Sequence, residues 1–231
     1  MSNLKDKLVQ DFLQFESSLN GKSQSDIHIE RKKAIAQFEK SGFPTNRNEE
    51  WKYTDSKELQ NHSFNILALN SKLTKEEIHK HFIPGLSGNQ LVFLNGRYRA
   101  DFSSIVSPAS ELIIKDLKDI IYTDEFSKIK AGLGKYKKFN NDGFIDLNQA
   151  FAENGIYIQV PENKSIIEPV ILYFIADSDT ENAISIPQVY LNVNANSSLK
   201  VVEHYIKIGN QVSFSNTLTE FLLAKNTNSS I

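Results

Sequence analysis

The chain has 231 residues, with 26 Lys and Arg against 28 Asp and Glu, a net charge of −2, and 40% hydrophobic residues. That balance suits a globular chain able to bury a sizeable core, and it gives no general attraction to nucleic acid or an anionic membrane. There are no cysteines, which excludes disulfides and metal centres held by this chain's own thiolates. No apolar run approaches the ~20 residues that span a bilayer, and the N-terminus leads into a charged amphipathic pattern, so a cytoplasmic location is expected.

In chain order, Leu4, Leu8, Phe12, Phe15 and Leu19 form one helical stripe over 4–19, widened by Val9 and Leu13. A second helix is predicted from Ile27 to Ser41, with Ile27, Ala34, Ile35 and Phe38 inward and Gly42 as its stop. Its charged run Glu30-Arg31-Lys32-Lys33 reads as a solvated face. Residues Gly42 to Asp55 then form a loop in which Pro44 cannot continue a helix, and Phe43, Trp51 and Tyr53 are expected to be aromatic anchors.

Thr74 and Glu77 make a capping box at the head of a short helix, with Leu73 and Ile78 as the hydrophobic staple across it and Pro84-Gly85 closing it. Leu91 to Leu94, Asn95-Gly96 and Arg97 onward predict a two-residue hairpin, because Asn-Gly accepts the positive φ of a type I′ turn. Arg97 and Arg99 share a strand face and read as a solvated edge. Further short helices are expected over 123–131, capped by Thr123 and stopped by Gly132, and over 144–153, with Leu147, Ala150 and Phe151 inward.

Beyond Ile156 the character changes: the first 60 residues hold 20 charged side chains and the last 48 hold 5. Alternation over 190–193, 199–206 and 211–221 predicts strands, with Pro169 and Pro187 at strand starts or bulges. A weak repeat runs through this part. Val160 to Ile166 matches Val193 to Leu199 at an offset of 33 residues, and Asn226 to Ile231 follows at an offset of 32. Each copy is a polar turn, then Ser, then an aliphatic residue. This spacing is that of a stacked solenoid. The fold expected is therefore α+β: a mostly helical region with a small β-hairpin over 1–153, then the start of a right-handed parallel β-helix over 154–231. A third unit that opens at Ile231 predicts that these residues are a segment of a longer protein, and an unfinished edge predicts self-association of the isolated chain as a homodimer.

Chemistry-bearing patterns are sparse. His79 and His81 are two apart and diverge on a helix, and His-Glu-x-x-His spacing does not occur. His204 shares its strand face with Val202 and Ile206 and reads as a buried, hydrogen-bonded histidine, a role in an interior channel being the sharper alternative. Asp177, Asp179 and Glu181 lie in a short acidic loop without the central Gly and distal Glu of a calcium-binding EF-hand, and read as a solvated turn. Glu49 and Glu50 are adjacent and diverge. Phosphate-loop, dinucleotide and nucleophile-elbow motifs are absent. The sequence thus points to no catalytic, cofactor-binding or metal-ligating residues.

Gly42-Phe-Pro-Thr45 followed by Glu49-Glu-Trp-Lys-Tyr-Thr54 resembles the N-terminal signature of the SufB/SufD family, the SufD branch most closely. Leu91-Val-Phe-Leu-Asn-Gly96, Leu147-Asn-Gln-Ala-Phe151 and Ser215-Asn-Thr-Leu-Thr-Glu220 extend the resemblance from about residue 40 onward. It implies a non-enzymatic scaffold subunit of the SUF machinery for iron–sulfur cluster assembly. The implied partners are a SufB-like paralogue and a SufC-like ABC-type ATPase, with the cluster handled by the complex and no cofactor on this segment, no nucleic acid and no membrane. In such chains more β-helix and a C-terminal helical region follow. Two other readings of the residues are a carbohydrate-active β-helix enzyme and a stand-alone β-solenoid adaptor. The enzyme would need clustered carboxylates on a strand face, whereas after Glu181 only Glu203 and Glu220 occur, far apart in sequence.

Overall fold

A computed structural model describes residues 3–19, 21–66, 71–132 and 142–230. The helical stripe at the N-terminus forms α1 (Leu4–Ser18), whose N-cap Asn3 accepts from the Asp6 amide. Leu4, Leu8, Phe12, Phe15 and Leu19 are all buried, as the periodicity requires. Leu13 is not part of that face: it is 61% exposed, because it lies on the side of α1 turned away from the second helix and the strands. α2 (Asp26–Ser41) ends where Gly42 takes a φ of +66°.

Arg31 departs from the solvated face expected of its charged neighbours. It is fully buried, while Glu30, Lys32 and Lys33 are exposed. Its position, three before Ala34 and seven before Phe38, puts it on the buried stripe of α2. His28 shares that stripe, its ring stacked on Phe12 at a centroid distance of 5.9 Å. His28 Nε2 pairs with Glu16 Oε1 at 2.9 Å, and Lys32 reaches the same oxygen at 2.6 Å. These partners, the Lys32 hydrogen bond first, hold the Glu16 carboxyl below its ordinary value of 4.5. A depressed folded-state pKa stabilises the fold above the unfolded value, and that contribution is lost as the pH falls through it. The substitution Glu16→Gln is therefore expected to flatten the fall in urea midpoint below about pH 4.5; an unchanged acid limb would show that the carboxylate contributes nothing there.

The loop after α2 is pinned by two of its three aromatics. Phe43 is buried against Phe38, Phe144 and Phe214. Trp51 ends a single 3₁₀ turn (Glu49–Trp51), packs its ring at a tilt against Phe144 at 4.9 Å and donates its indole N–H to Asp142 Oδ2 at 3.0 Å. Tyr53 is no anchor: it is 92% exposed. The pair would share a face only in extended chain, and this segment turns instead, with Thr54 N–H donating to Trp51 O.

The short helices α3 (Lys57–Gln60) and α4 (Lys75–His79) follow, α4 with both bonds of its Thr74–Glu77 capping box. β1 (Asn89–Leu94) and β2 (Arg97–Tyr98) form the hairpin, with φ of +48° at Asn95 and +78° at Gly96. Next come β3 (Ile113–Asp116), α5 (Leu117–Ile120), α6 (Asp124–Gly132) and α7 (Gly143–Ala150). The remaining strands are β4 (Gly155–Val160), β5 (Val170–Asp177), β6 (Ala183–Ser185), β7 (Gln188–Val193), β8 (Ser198–Ile208), β9 (Ser213–Ser215), β10 (Leu218–Leu223) and β11 (Asn228–Ser230). Pro169 and Pro187 stand immediately before β5 and β7, where a missing N–H leaves no gap in a ladder. The alternation over 211–221 is not one strand; it breaks between β9 and β10 at Asn216-Thr217.

This is a mixed α/β protein with parallel and antiparallel pairing in its sheets. One sheet runs β11-β8-β5-β1-β2, a second β10-β7-β4-β3, and a third pairs β6 with β9. The first is continuous across residue 154, since β1 pairs in parallel with β5 from Asn89↔Val170 to Leu94↔Ile175. The repeat sets the register. Gly155 pairs with Gln188 and Ser165 with Ser198, both offsets of 33, as the sequence predicts, while β5 meets β8 at an offset of 31, Val170 on Val201. The next register is 30, not 32: Gln188 pairs with Leu218, Ala183 with Ser213 and Ser198 with Asn228. Left-handed asparagines fix it. Asn163, Asn196 and Asn226 have φ of +60°, +58° and +59°, and their amides form a ladder with spacings of 3.1 and 3.0 Å. Matching the Ser-Ser pairs instead of these turn residues gives the wrong offset. Ile231, expected to open a further strand, lies outside the described residues.

Between the first two sheets lies an apolar interior, with Leu91, Phe93, Ile156, Ile158, Leu172, Phe174, Val189 and Leu191 fully buried or nearly so. The central strand β5 is buried on both faces, as parallel strands between two layers are: Ile171, Tyr173 and Ile175 point outward beneath the segment around α4. On the far side of the second sheet, Tyr157 and Tyr190 pack against α5 and α6. α1, α2 and α7 close a further core that includes Ile184 and Ile186 beside β6.

Candidate functional site

Two groups of polar side chains are set apart by their placement. The first joins α7 to the strand stacks. Asp142 caps α7 through the Phe144 amide at 2.8 Å and also accepts the Trp51 indole, so one carboxylate fixes both the helix start and the aromatic loop. Gly143 is required there, because a Cβ on it would lie 1.9 Å from Gly42 O. One turn on, Asn148 is fully buried and donates to Pro187 O at 3.1 Å and Asn216 O at 2.7 Å, while accepting from Gln188 Nε2 at 3.0 Å. Gln188 Oε1 in turn accepts from the Tyr190 hydroxyl at 2.8 Å, and Asn216 Nδ2 donates to Phe144 O at 2.8 Å. Burial pushes the Tyr190 phenol well above its ordinary value, and so it acts as a donor at any physiological pH.

The second group lies where the strand stacks present unpaired edges. Among the described residues, β9, β10 and β11 pair on one side only. The interior lining changes there from apolar to polar. Glu203 follows Leu199 and Val201 on the inward face of β8. Its Oε1 accepts from Thr219 at 2.7 Å and its Oε2 from the Tyr205 hydroxyl at 2.9 Å. Burial, reinforced by the Glu203 carboxylate, pushes the Tyr205 phenol up to about 12. Tyr205 also stacks on Phe174 at 4.9 Å and stays 49% exposed, as Leu223 does. Free backbone edges beside exposed apolar and hydroxyl side chains can pair with another strand.

The residues weighed from sequence are dispersed. His204 points outward, half-buried, with its ring edge-on to Tyr173 at 5.8 Å. It is not the buried, hydrogen-bonded residue expected, because its strand lies at the thinly covered end of the outer core, and it faces away from the interior. His79 bonds Phe102 O and packs at a tilt against Phe82. Asp177 accepts from the Asp179 amide in its own turn. Arg99 is bound by Asp101 through two nitrogens, at 2.8 and 2.6 Å, and does not join Arg97. Asn216, left without a role by the strand reading, belongs to the α7 network. Among the described residues, no group of three or more His, Asp or Glu is placed to hold a metal ion, and no helix is long and apolar enough to cross a membrane. Sequence reasoning passed over Asn148, although it lies within the Leu-Asn-Gln-Ala-Phe string; a fully buried amide gives no periodic signal.

The fold and its polar groups define an α/β platform: a helical layer bolted to parallel strand stacks whose last strands keep open edges. Comparison with known proteins gives its family. A family model described as SufBD protein N-terminal region matches residues 2–172, and the chain belongs to the SufB/SufD family. It is also similar to a protein of Synechocystis sp. (strain ATCC 27184 / PCC 6803 / Kazusa) described as an iron-sulfur cluster assembly SufBD family protein, with 23% identity over 93% of this chain and 48% of the relative. The chain spans about half the length of the curated relative it matches.

Proposed function

We propose that the chain is a non-catalytic scaffold subunit of the SUF machinery, SufD-like, pairing with a SufB-like subunit and a SufC-like ABC-type ATPase in iron–sulfur cluster assembly. The observation that carries this reading is the family match over residues 2–172. Membership alone does not name the branch; the Gly-Phe-Pro-Thr and Glu-Glu-Trp-Lys-Tyr-Thr strings favour SufD. In this reading the protein works in the cytoplasm, the cluster is cargo of the complex, and these residues hold no cofactor of their own. The strand registers of 33, 31 and 30 residues support taking the stacks as the first coils of a right-handed parallel β-helix. The unpaired edges of β9, β10 and β11 would then be where further β structure, from this protein or a partner, is laid down.

The test is affinity purification of the tagged protein from its own cells, with mass spectrometry of what accompanies it. Recovery of an ABC-type ATPase and a homologous subunit, both lost at high salt or on deletion of the partner genes, is the expected result. Recovery without either would overturn the scaffold reading.

A further inference from the structure

Two loops distant in sequence are held side by side at one corner of the strand stacks. Asn89, at the head of β1, is fully buried and joins them: its Oδ1 accepts from the Val106 and Ser107 amides at 3.1 and 2.9 Å, and its Nδ2 donates to Ser107 Oγ at 3.0 Å and to Glu168 O at 3.1 Å. Lys164 and Glu111 tie the same two loops again, at 3.2 Å. What these loops present is apolar. Ile167 is 87% exposed, Val106 58% and Ile105 46%, and Pro108 and Ala109 are exposed as well. Ile167 sits on a bulge. Ser165 meets Ser198 at an offset of 33 and Val170 meets Val201 at 31, so two extra residues are extruded between those pairs. Single apolar side chains scattered on a surface need no explanation, but a group fixed together on tied loops marks an interaction site.

We propose that this corner docks an extended segment of a partner protein, one in which aliphatic and basic residues alternate. The backbone sets the mode. Ser104 exchanges both main-chain hydrogen bonds with Gln90, at 2.7 and 2.8 Å, and the Val106 N–H turns the same way, to Asn89. The intervening Ile105 therefore directs its N–H and C=O away from β1, where among the described residues they meet no partner. An extended peptide takes up that donor and acceptor and lays its aliphatic side chains on Ile105, Val106 and Ile167. Charge selects the peptide. Of the four charged residues on 104–111 and 161–169, three are the carboxylates of Glu111, Glu162 and Glu168, and the one cation, Lys164, is held by Glu111. A second copy of the chain would set this acidic face against itself, whereas basic side chains complement it.

The experiment is an amide NMR titration of the purified chain with the peptide Ac-Lys-Val-Lys-Ile-Lys-Val-NH2, and with its acidic counterpart, in which Glu replaces each Lys. The basic peptide is expected to bind with a dissociation constant on the order of 0.1–1 mM. Its largest shifts should fall at Ile105, Val106 and Ile167, and added salt should weaken it. The acidic peptide should bind at least about tenfold more weakly. Two variants separate backbone from side chain. Ile105→Pro removes the outward N–H without touching a bond of the fold, and Ile167→Ser removes the most exposed aliphatic group. Each should weaken binding by about tenfold while unfolding at the parent temperature. The proposal is overturned if ~5 mM basic peptide moves none of these amides, if the acidic peptide binds as well, or if both variants bind unchanged. Shifts at the same amides on raising the protein concentration alone would also overturn it, by making the occupant a second copy of the chain.

Discussion

Replacing Arg31 by Met is expected to cost the fold about 3 kcal/mol, an unusually large effect for a residue in a charged run. Arg31 Nε donates to Ala152 O at 2.7 Å, with Nη2 on the same oxygen, and Nη1 donates to the Tyr122 hydroxyl at 2.9 Å. Its guanidinium also lies over the Phe15 and Tyr122 rings, at 5.2 and 5.5 Å. Ala152 follows the end of α7, where unpaired carbonyls carry the negative end of the helix dipole, and so a buried cation there is partly compensated without a carboxylate. Two effects compete. A buried charge is expensive, and exchanging an entire ion pair for apolar groups is often neutral or better. Here only one partner is removed. Methionine fills much of the volume but leaves the buried Ala152 carbonyl without its donors, at ~1–3 kcal/mol, and takes a further bond from the half-buried Tyr122 hydroxyl, and the orphaning wins. Lysine is not a substitute, because a single ammonium cannot span both acceptors. Lys33→Ala, at an exposed residue paired with Glu30, should change stability by no more than ~0.5 kcal/mol. Urea unfolding of the three proteins decides the matter. An Arg31→Met protein as stable as its parent would mean that desolvation of the guanidinium cancels its contacts.

Arg31 also shows where sequence reading reaches its limit. Periodicity located α1, α2 and α7, because their apolar residues recur at helical spacing, and the local chemistry of Thr74–Glu77 and Asn95–Gly96 was read correctly because those bonds form within a few residues. The change of character near Ile156 and the offset of 33 were legible in the same way. Long-range partners were not. Nothing in Glu30-Arg31-Lys32-Lys33 says that one of the four meets a carbonyl 121 residues away. Nothing near Leu91 says that its strand joins Leu172. Tyr53 and Trp51 look equivalent in composition, and only Asp142, 91 residues beyond Trp51, makes one an anchor and leaves the other in water. Alternation along β8 put His204 on the buried face with Val202 and Ile206, whereas the structure turns Leu199, Val201 and Glu203 inward; the Thr219 partner of Glu203 comes from β10, whose register the repeat alone misplaced by two residues.

The same dependence on a remote register makes Asn148 the other sensitive position. Asn148→Leu should destabilise the protein by about 4 kcal/mol. The side chain meets two successive strand layers at the same corner: Pro187 O stands before β7, and Asn216 O stands one layer on, before β10. Leucine has nearly the same volume, so the loss comes from polarity. Gln188 Nε2 loses its acceptor and Asn216 O the Asn148 amide, inside a region where Asn148 and Gln188 are 0% and 1% exposed. Pro187 O keeps one bond, from the Leu218 amide at 3.1 Å, and this holds the estimate below the sum of three orphaned groups. Asn148→Asp should do no better. It turns a carboxylate oxygen toward two carbonyl oxygens, and its burial without a cation would favour the protonated form. Hydrogen exchange separates a local role from a global one. If Asn148 bolts α7 to the stacks, the amides of Gln188 and Leu218, which bond Asn154 O and Pro187 O, lose protection before those of β5 in the leucine variant. Uniform loss across both would assign Asn148 to overall stability alone, and undiminished protection at Gln188 would remove it as the link between the helical layer and the strand stacks.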